Sequence, residues 1–439
     1  MGGRTFARKG EEAMIDRSSL GSLISRWAIV FAIFVCLNLQ AEEKRVRYQL
    51  DHTFAVEDPQ FLRCMGQLLG PGLLPGNQIK ALRNGDQIFP AMLEAIHGAR
   101  ETITFETYIY WSGDIGRKFS AALCERAQAG VKVHAMLDWM GSGRLEKQSL
   151  EDMKAAGVEV EKYHPLRWYN LARLNHRTHR KLLVVDGRIG FTGGVGIADL
   201  WEGNAESKEH WRDSHYRIEG PAVAQMQSAF TDNWIKTRAR VLFSSNYFPE
   251  LKPMAGGSLA QVFKSSSGEG SESVRLMYLL SIASATKTIR LQAAYFVPDQ
   301  LAIETFVAAR KRGVIIQIIV PGPNMNKKIV QRASRSLWGA LLDAGVQIYE
   351  YQPTMYHCKV IIVDDIWVSV GSTNFDDRSF RLNDEANLNV YDPVFAAEQA
   401  KVFEEDRRQS RLMTRAEFKN RSFCGKIFDT LAGTLRGQL

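Results

Sequence analysis

The sequence predicts an α/β protein of two pseudo-symmetric lobes, each a mixed β-sheet flanked by helices, with an active site in the cleft between them. Three observations carry this prediction: a strand, helix, strand order that occurs twice, a Gly- and Ser-rich stretch between the copies, and one polar motif that ends each copy. With 439 residues, of which 45% are apolar and 24% charged, the chain can build one large or two ordinary cores.

The first copy begins with a β-rich run at residues 102–109. Residues 116–128 have helical spacing of their apolar side chains, and residues 131–137 are apolar again. Gly130 stands where a helix commonly ends, directly before the second strand. The pattern predicts a strand, helix, strand unit.

The second copy repeats this order later in the chain. Residues 289–296 are predicted as a strand, 301–311 as a helix ending before Gly313, and 314–320 as a strand. We therefore expect a duplicated βαβ plan, with the two lobes packed face to face.

Composition shifts divide the chain into segments. Residues 251–273 are rich in Gly and Ser and are predicted to be a loop or linker. The predicted organisation is an N-terminal segment 1–41, a first lobe 42–250, the linker 251–273, a second lobe 274–420 and a C-terminal tail 421–439. The basic residues after Asp406 favour a solvated helix face over a binding surface.

The N-terminal segment carries basic residues, then an apolar run at 27–39, then the acidic pair Glu42-Glu43. This layout is typical of a signal peptide or a membrane anchor. The run is shorter than the about 20 residues that cross a bilayer comfortably, so cleavage after Ala41 competes with an uncleaved anchor. A buried N-terminal helix is the remaining alternative.

Charge and cysteine content limit the classes of partner. The net charge of +8 favours anionic partners, which include nucleic acid, lipid headgroups and phosphorylated small molecules. The five cysteines are scattered and form no Cys-x-x-Cys pair, and the histidines show no metal-ligand spacing. We expect no disulfide framework, no metal and no other cofactor.

Each half ends in the same polar motif, within residues 173–200 and 351–378. A histidine is followed by a lysine two residues on and by an aspartate five residues after the lysine: His179, Lys181 and Asp186, then His357, Lys359 and Asp364. A short apolar strand and a glycine turn follow each motif, at 193–196 and 371–374. A single histidine beside a strand is usually a satisfied core residue, but two matched copies indicate a shared function.

The spacing fits a strand, where residues i and i+2 point to the same face. If the lobes meet about a pseudo-twofold axis, both histidines and both lysines converge on one cavity. One histidine could attack phosphorus while the other protonates the departing alcohol, and the lysines could offset the charge of the phosphate oxygens. The cavity therefore suits a phosphodiester and needs no metal.

The doubled motif resembles the phospholipase D superfamily over roughly residues 80–410. Within it, six segments are similar to bacterial cardiolipin synthases: Phe105–Tyr110, Leu174–Lys181, Phe191–Gly194, Trp211–Asp213, Arg217–Pro221 and Asn374–Ser379. The resemblance implies a membrane-associated enzyme of the bacterial cell envelope with lobes of the phospholipase D type.

Site roles follow from the resemblance by position. It implies that His179 is the nucleophile and His357 the general acid and base, although the residues alone do not order the two. Lys181, Lys359, Asn374 and Ser372 would hold the phosphate. A carboxylate downstream of each motif, Asp213 and Glu385, would orient the histidine of its own lobe, and Asp186 and Asp364 would brace the motif turns.

One position departs from the family pattern. Gly196 stands where the family commonly has asparagine, so the first half lacks one phosphate-contacting amide. This leaves Asn374 with more of that role.

The substrate class depends on the surroundings of the motif. Residues 164–181 interleave several arginines with Trp168 and Tyr169, which suits an anionic membrane surface or single-stranded nucleic acid, or an ordinary solvated loop. The apolar N-terminal segment favours lipid and makes nucleic acid a less suitable partner.

Three functions stay open on this basis. The first is a phosphatidyltransferase that makes cardiolipin and glycerol from two phosphatidylglycerol molecules. The second is a hydrolase, either a phospholipase D or a nuclease, that uses water as acceptor. The third is a binding protein that kept the fold, which the intact histidines and lysines argue against. The oligomeric state is not predicted.

Overall fold

The computed structural model describes residues 50–165, 175–266 and 273–434. The apolar run of the N-terminal segment and residues 166–174 of the basic and aromatic segment lie outside these ranges. No helix in the described ranges is both long and apolar enough to cross a membrane.

The strands join in one hydrogen-bonded order, β16-β12-β11-β10-β13-β14-β15-β9-β1-β8-β7-β6-β2-β3-β4, with β5 pairing to β15. They are β1 (Leu74–Arg83), β2 (Thr102–Thr107), β3 (Lys132–Asp138), β4 (Glu159–Tyr163), β5 (Arg177–Thr178), β6 (Leu182–Val185), β7 (Ile189–Gly193), β8 (Ser214–Glu219), β9 (Ser258–Ser265), β10 (Thr288–Ala293), β11 (Ile315–Pro321), β12 (Gln347–Tyr351), β13 (Lys359–Val363), β14 (Trp367–Gly371), β15 (Asn383–Tyr391) and β16 (Ser410–Leu412).

Helices cover the sheet in both halves. They are α1 (Pro59–Arg63), α2 (Asn84–His97), α3 (Asp114–Gln128), α4 (Lys147–Ala155), α5 (Ala222–Arg238), α6 (Ser273–Ala283), α7 (Gln300–Lys311), α8 (Lys328–Ser336), α9 (Trp338–Asp343), α10 (Asp377–Arg381), α11 (Pro393–Arg408), α12 (Arg415–Lys419) and α13 (Phe423–Gly433). A π-helical turn at Cys64–Leu69 and a 3-10 turn at Asp199–Trp201 complete the described helical segments.

The predicted βαβ units are present in both halves. In the first half β2 runs parallel to β3 and antiparallel to β6, and in the second half β10 runs parallel to β11 and antiparallel to β13. The predicted helices at 116–128 and 301–311 correspond to α3 and α7. The α/β fold class with a mixed sheet in each half is therefore confirmed.

Three apolar cores hold the halves together. One is centred on helices α2 and α3 of the first half and includes second-half side chains such as Tyr295 and Val297. A second packs α6 and α7 on the second half, and a third combines strands of both halves. In this third core Leu182 and Tyr216 lie in the same cluster as Val360 and Val390. Side chains of the two half-sheets thus share one buried core.

The predicted linker needs a correction. Within 251–273, the segment Ser258–Ser265 forms strand β9, which pairs with β15 over seven residue pairs and touches β1 at Leu74 and Asn77. Ala260, Val262 and Phe263 are buried there. The flanking glycines and serines concealed a short apolar run that joins the two half-sheets at their edges.

The C-terminal region is also more ordered than a tail. Strand β16 adds to the edge of β12, and helix α13 packs against α8. The stretch predicted as a solvated basic face thus contributes structure to the second half.

Candidate active site

The two motif histidines lie at points where the halves exchange backbone hydrogen bonds. Strand β5 runs parallel to β15, and the His179 N–H donates to the Asp384 carbonyl at 2.9 Å. Reciprocally, the His357 N–H donates to the Arg212 carbonyl at 2.8 Å. Each histidine is therefore fixed next to the residue that precedes a carboxylate of the opposite half.

His179 is held by Glu385. Its Nδ1 lies 3.0 Å from both carboxylate oxygens, and the side chain is buried except for about a tenth of its surface. The Ser372 hydroxyl donates to Glu385 Oε2 at 2.5 Å, which fixes that carboxylate. A carboxylate on Nδ1 sets the tautomer and leaves Nε2 for chemistry.

His357 is held by Asp213. Its Nδ1 lies 2.7 Å from Asp213 Oδ2, which also accepts the Trp201 indole N–H at 3.0 Å. The Ser214 N–H donates to Oδ1 of the same aspartate. The second histidine therefore has the same kind of support as the first, built from different residues.

The expected pairing within each lobe is wrong. The sequence-based assignment gave each histidine the carboxylate of its own half, whereas Glu385 of the second half bonds His179 and Asp213 of the first half bonds His357. The cause is the reciprocal backbone pairing, which inserts each motif between the strands of the other half. Distance along the chain carries no signal for this exchange.

The two motif lysines lie beside the histidines. Lys181 Nζ donates to the His179 carbonyl at 2.8 Å, and Lys359 Nζ donates to the His357 carbonyl at 2.6 Å. Lys359 Nζ also lies 3.2 Å from His357 Nε2. All four side chains are buried, so two imidazoles and two ammonium groups share one poorly hydrated region.

The motif aspartates point away from the histidines into neighbouring turns. Asp186 accepts the backbone N–H groups of Arg100, Glu101 and Thr102. Asp364 accepts those of residues 286, 287 and 288, together with the Thr286 hydroxyl. Both therefore fix the start of a central strand, which agrees with the bracing role expected of them.

The two glycine turns differ in the room they leave. A β-carbon added at Gly194 would overlap Asp213 Oδ1, whereas Ser372 at the corresponding position bonds Glu385. At Gly196 a β-carbon would lie 2.9 Å from Ile109 Cβ, so an asparagine cannot enter without displacing its neighbours. Asn374 is buried in the second half, and its Oδ1 has no hydrogen-bond partner among the described residues.

Aromatic rings enclose the histidines, and sequence reasoning missed several of them. Trp201 and Tyr295 lie 5.5 and 6.3 Å from the His357 ring, and Tyr108 lies 5.3 Å from the His179 ring. Trp211 lies 5.3 Å from His357, and both Trp211 and Tyr108 belong to segments that carry the family resemblance. The sequence contains one signal for Trp201. Gly194 has no hydroxyl to donate to Asp213 as Ser372 does to Glu385, so another residue must donate that hydrogen bond.

Burial sets the charge state of the site. It lowers the pKa of His179 to about 4 and that of His357 to about 3, with nearby lysines adding to the shift and the carboxylates opposing it. Burial also lowers the pKa of Lys181 to about 7 and that of Lys359 to about 8. Burial disfavours the charged carboxylates, but the histidines and lysines outweigh it and lower the pKa of Asp213 and Glu385.

This arrangement provides two neutral imidazoles whose Nδ1 atoms are held by carboxylates. It also provides two lysines, Lys181 and Lys359, whose pKa values lie close enough to neutral pH for their charge to change. A neutral Nε2 is a nucleophile, and an imidazole that receives a proton is a general acid. Anionic substrate oxygens near the site would raise the histidine and lysine pKa values and favour their charged forms. Among the described residues, no cluster of His, Cys, Asp and Glu is arranged to hold a metal ion.

Comparison with known proteins gives consistent results. The family described as "Cardiolipin synthase, PLD-like domain" matches residues 92–234 and 278–407. Cardiolipin synthase 1 of Bacillus cereus is 34% identical over 360 residues, which span 80% of this chain and 70% of that protein. A cardiolipin synthase of Staphylococcus aureus is 34% identical over 368 residues, spanning 83% and 74% of the two chains.

Solved structures show the same fold at lower sequence identity. The phosphatidylserine synthase of Haemophilus influenzae matches with a TM-score of 0.65 and 14% identity, covering 86% of this chain and 100% of that one. The polyphosphate kinase of Porphyromonas gingivalis matches with a TM-score of 0.53 and 12% identity, covering 90% and 57%. At these identities the likeness concerns the fold alone.

Proposed function

The chain belongs to the cardiolipin synthase family of phospholipase D-type phosphatidyltransferases, and we propose that it joins two phosphatidylglycerol molecules into cardiolipin and glycerol through a phosphohistidine. The observation that carries the proposal is the pair of histidines whose Nδ1 atoms are each held by a carboxylate of the opposite half. This leaves two Nε2 atoms for a two-step transfer in one cavity.

In the first step the Nε2 of His179 attacks the phosphorus of the donor lipid. The new bond joins nitrogen to phosphorus, and the bond from phosphorus to the departing glycerol oxygen breaks. The role of nucleophile is supported by the two Glu385 oxygens, which stabilise the ring of His179 as it gains positive charge.

In the same step His357 donates a proton to the glycerol oxygen. It acquires that proton when the anionic substrate raises its pKa, and Asp213 stabilises the charged ring. In the second step His357 takes the proton of the acceptor hydroxyl, whose oxygen attacks phosphorus while the bond from phosphorus to His179 breaks. Both histidines return to their starting state.

Phosphate binding is assigned to Lys181, Lys359 and Asn374. The lysines are buried beside the histidines, where a cation interacts with non-bridging oxygens more strongly than in water. Asn374 is buried in the second glycine turn, and the N–H groups of its amide can donate to a phosphate oxygen. Ser372, which the family resemblance implies as a phosphate ligand, more simply acts by fixing Glu385.

The substrate is an anionic phospholipid, and the place of action is a membrane surface. The relatives named cardiolipin synthase and the basic net charge of +8 support this setting. We propose that the apolar N-terminal run holds the enzyme at the bacterial cell envelope, either before cleavage or as a lasting anchor.

The test is to incubate the purified full chain with phosphatidylglycerol vesicles in the presence of a chelator and to resolve the products. We expect cardiolipin and free glycerol from the wild type and neither from His179→Ala. Phosphatidic acid without cardiolipin would replace the proposal with hydrolysis by water, and the absence of any lipid turnover would refute it.

A further inference from the structure

Arg177 places a buried guanidinium two residues before the proposed nucleophile, His179. Arg177 is 3% exposed, and among the described residues neither Nη1 nor Nη2 is paired. A buried unpaired cation is strongly disfavoured, and such a group in a native fold commonly marks the place of a ligand.

The strand places this arginine on the reactive face. Arg177 precedes His179 by two residues at the edge formed by β5, so the two side chains leave the backbone on the same side, about 7 Å apart. Lys181 continues the same alternation. Arg177, His179 and Lys181 therefore form one row of side chains, and Arg177 is not among the donor-phosphate ligands proposed above.

The neighbours of Arg177 leave its charge available. Its guanidinium lies 5.7 Å from the centre of the Trp139 ring, which packs against it. The nearby Asp138 accepts backbone N–H groups from Met140, Gly141 and Thr178, so hydrogen bonds to the backbone already fix both of its oxygens. Asp138 moderates the charge without occupying the terminal nitrogens.

We propose that Arg177 binds the phosphate of the acceptor lipid, a second anionic site separate from the donor phosphate at the histidines. This inference rests on the proposed function, because an acceptor that is itself a phospholipid brings a phosphate of its own. A three-carbon glycerol separates the two phosphates of the product, a span comparable to that between Arg177 and His179. A planar guanidinium is suited to bind a phosphate with two parallel hydrogen bonds.

The experiment compares two acceptors that share one donor and one intermediate. Cardiolipin formation uses phosphatidylglycerol as acceptor, whereas exchange of labelled glycerol into phosphatidylglycerol uses a neutral acceptor without phosphate. In Arg177→Gln we expect cardiolipin formation to fall about 10- to 100-fold and glycerol exchange to be retained. Arg177→Lys should recover part of the loss.

Two outcomes would overturn the proposal: an equal loss of both reactions, which indicates a structural or donor-binding role, or no loss of cardiolipin formation. Arg144→Gln is the matched control, since Arg144 is an exposed arginine that also lies over a tryptophan, Trp111. A wild-type chain that catalyses neither reaction would contradict the proposed function, and the exchange assay separates that failure from this one.

A second, independent observation concerns helix α13. Four large apolar side chains are exposed on it at a spacing that puts them on one side: Phe423, Ile427, Phe428 and Leu431. Phe423 is 77% and Phe428 56% exposed. We call these four residues the C-terminal face.

Basic residues surround the C-terminal face. The neighbouring helix α8 has no acidic residue, and its Arg332 lies 5.4 Å from the centre of the Phe428 ring. Lys426 is exposed on α13 itself, and the acidic residue of that helix, Asp429, is buried against Arg421. An apolar stripe bordered by cations is the pattern of a helix that lies in an anionic lipid interface.

Helix α8, against which α13 packs, connects the C-terminal face to the surroundings of the active site. Lys327, directly before α8, has its Nζ 5.2 Å from the centre of the Tyr295 ring, which in turn lies 6.3 Å from the His357 ring. We infer that the C-terminal face docks on an anionic bilayer and brings the histidines to the level of the lipid headgroups.

Hydrogen exchange of the full chain, measured by mass spectrometry, tests this docking. Vesicles of phosphatidylglycerol should slow exchange in 423–433, vesicles of phosphatidylcholine should do so less, and peptides around the exposed Phe243 should not respond. Replacing Phe423, Phe428 and Leu431 by serine should lower turnover on vesicles about tenfold and spare turnover of detergent-dispersed lipid. Unchanged exchange in 423–433, or equal loss in both assays, would refute it.

Discussion

The two histidine sites perform equivalent tasks with different parts. His179 is paired with a glutamate that a serine hydroxyl fixes, and His357 is paired with an aspartate that an indole N–H fixes. The shorter carboxylate goes with Gly194, which gives it room, and the longer one goes with Ser372. The duplicated halves have thus kept the hydrogen-bond pattern around each imidazole while changing the residues that supply it.

This difference fits two roles. Glu385 offers two oxygens at 3.0 Å to His179, which in the proposed mechanism carries charge while it is bonded to phosphorus. Asp213 offers a single short contact to His357, whose ring lies among Trp201, Trp211 and Tyr295. The predictions below test whether the halves are specialised in this way or interchangeable.

The largest effect is expected from removing either imidazole. His179→Ala and His357→Ala should each lower cardiolipin formation by at least about 10³-fold. With a donor lipid that carries an activated leaving group, His357→Ala should still form labelled phosphoprotein, because no acid is needed, whereas His179→Ala should not. Label on the His179→Ala protein alone would reverse the assigned roles.

The carboxylates come next. Glu385→Gln and Asp213→Asn should each cost about 10²- to 10⁴-fold in kcat, because an amide neither stabilises the imidazolium nor fixes the tautomer. The activated donor should rescue Asp213→Asn much more than Glu385→Gln. Equal rescue of both variants would contradict the assignment of Glu385 to the nucleophile and of Asp213 to the general acid.

The lysines set a pH limit. In the wild type, kcat/KM should fall as pH rises through the lowered pKa values of Lys181, about 7, and Lys359, about 8, because each ammonium group then loses its charge. It should also fall toward pH 4, where the nucleophile becomes protonated. Lys181→Arg keeps its charge at all these pH values, so the alkaline limb should move upward toward the pKa of Lys359. If the alkaline limb of the kcat/KM profile is the same in Lys181→Arg as in the wild type, the loss of charge on Lys181 does not cause it.

The smallest effects are expected from the donors behind the carboxylates. Ser372→Ala and Trp201→Phe each remove one hydrogen bond to a charged group and should lower kcat about tenfold. Trp338→Phe is a matched control, because the Trp338 indole is also buried and donates to the Ser334 hydroxyl rather than to a carboxylate that orients a histidine. A loss in that control equal to the loss in Trp201→Phe would indicate packing rather than orientation of Asp213.

Much of the fold could be predicted because its signals are local. Strand β2, helix α3 and strand β3 follow from apolar spacing and from a glycine at the helix end, and the matched motif in each half indicates where the functional residues lie. Strand β9 was missed because eight residues between Gly- and Ser-rich stretches give too short an apolar pattern.

The crossed contacts could not be predicted for a different reason. Whether Glu385 meets His179 or His357 depends on which strands pair across the halves, through contacts more than 200 residues apart in sequence. Trp201 likewise acquires its role only because β8 brings Asp213 beneath it. Such partners follow from tertiary topology, for which a single sequence carries no local pattern.

The exchange of carboxylates makes each half dependent on the other. A first half made alone would hold a histidine with no anion on its Nδ1, and an aspartate with no ring to orient, and the same would be true of the second half. A half-length ancestor with this topology would have worked only as a symmetric pair of identical subunits. In a single chain the matching positions of the two halves can carry different residues, as serine at 372 and glycine at 194 do.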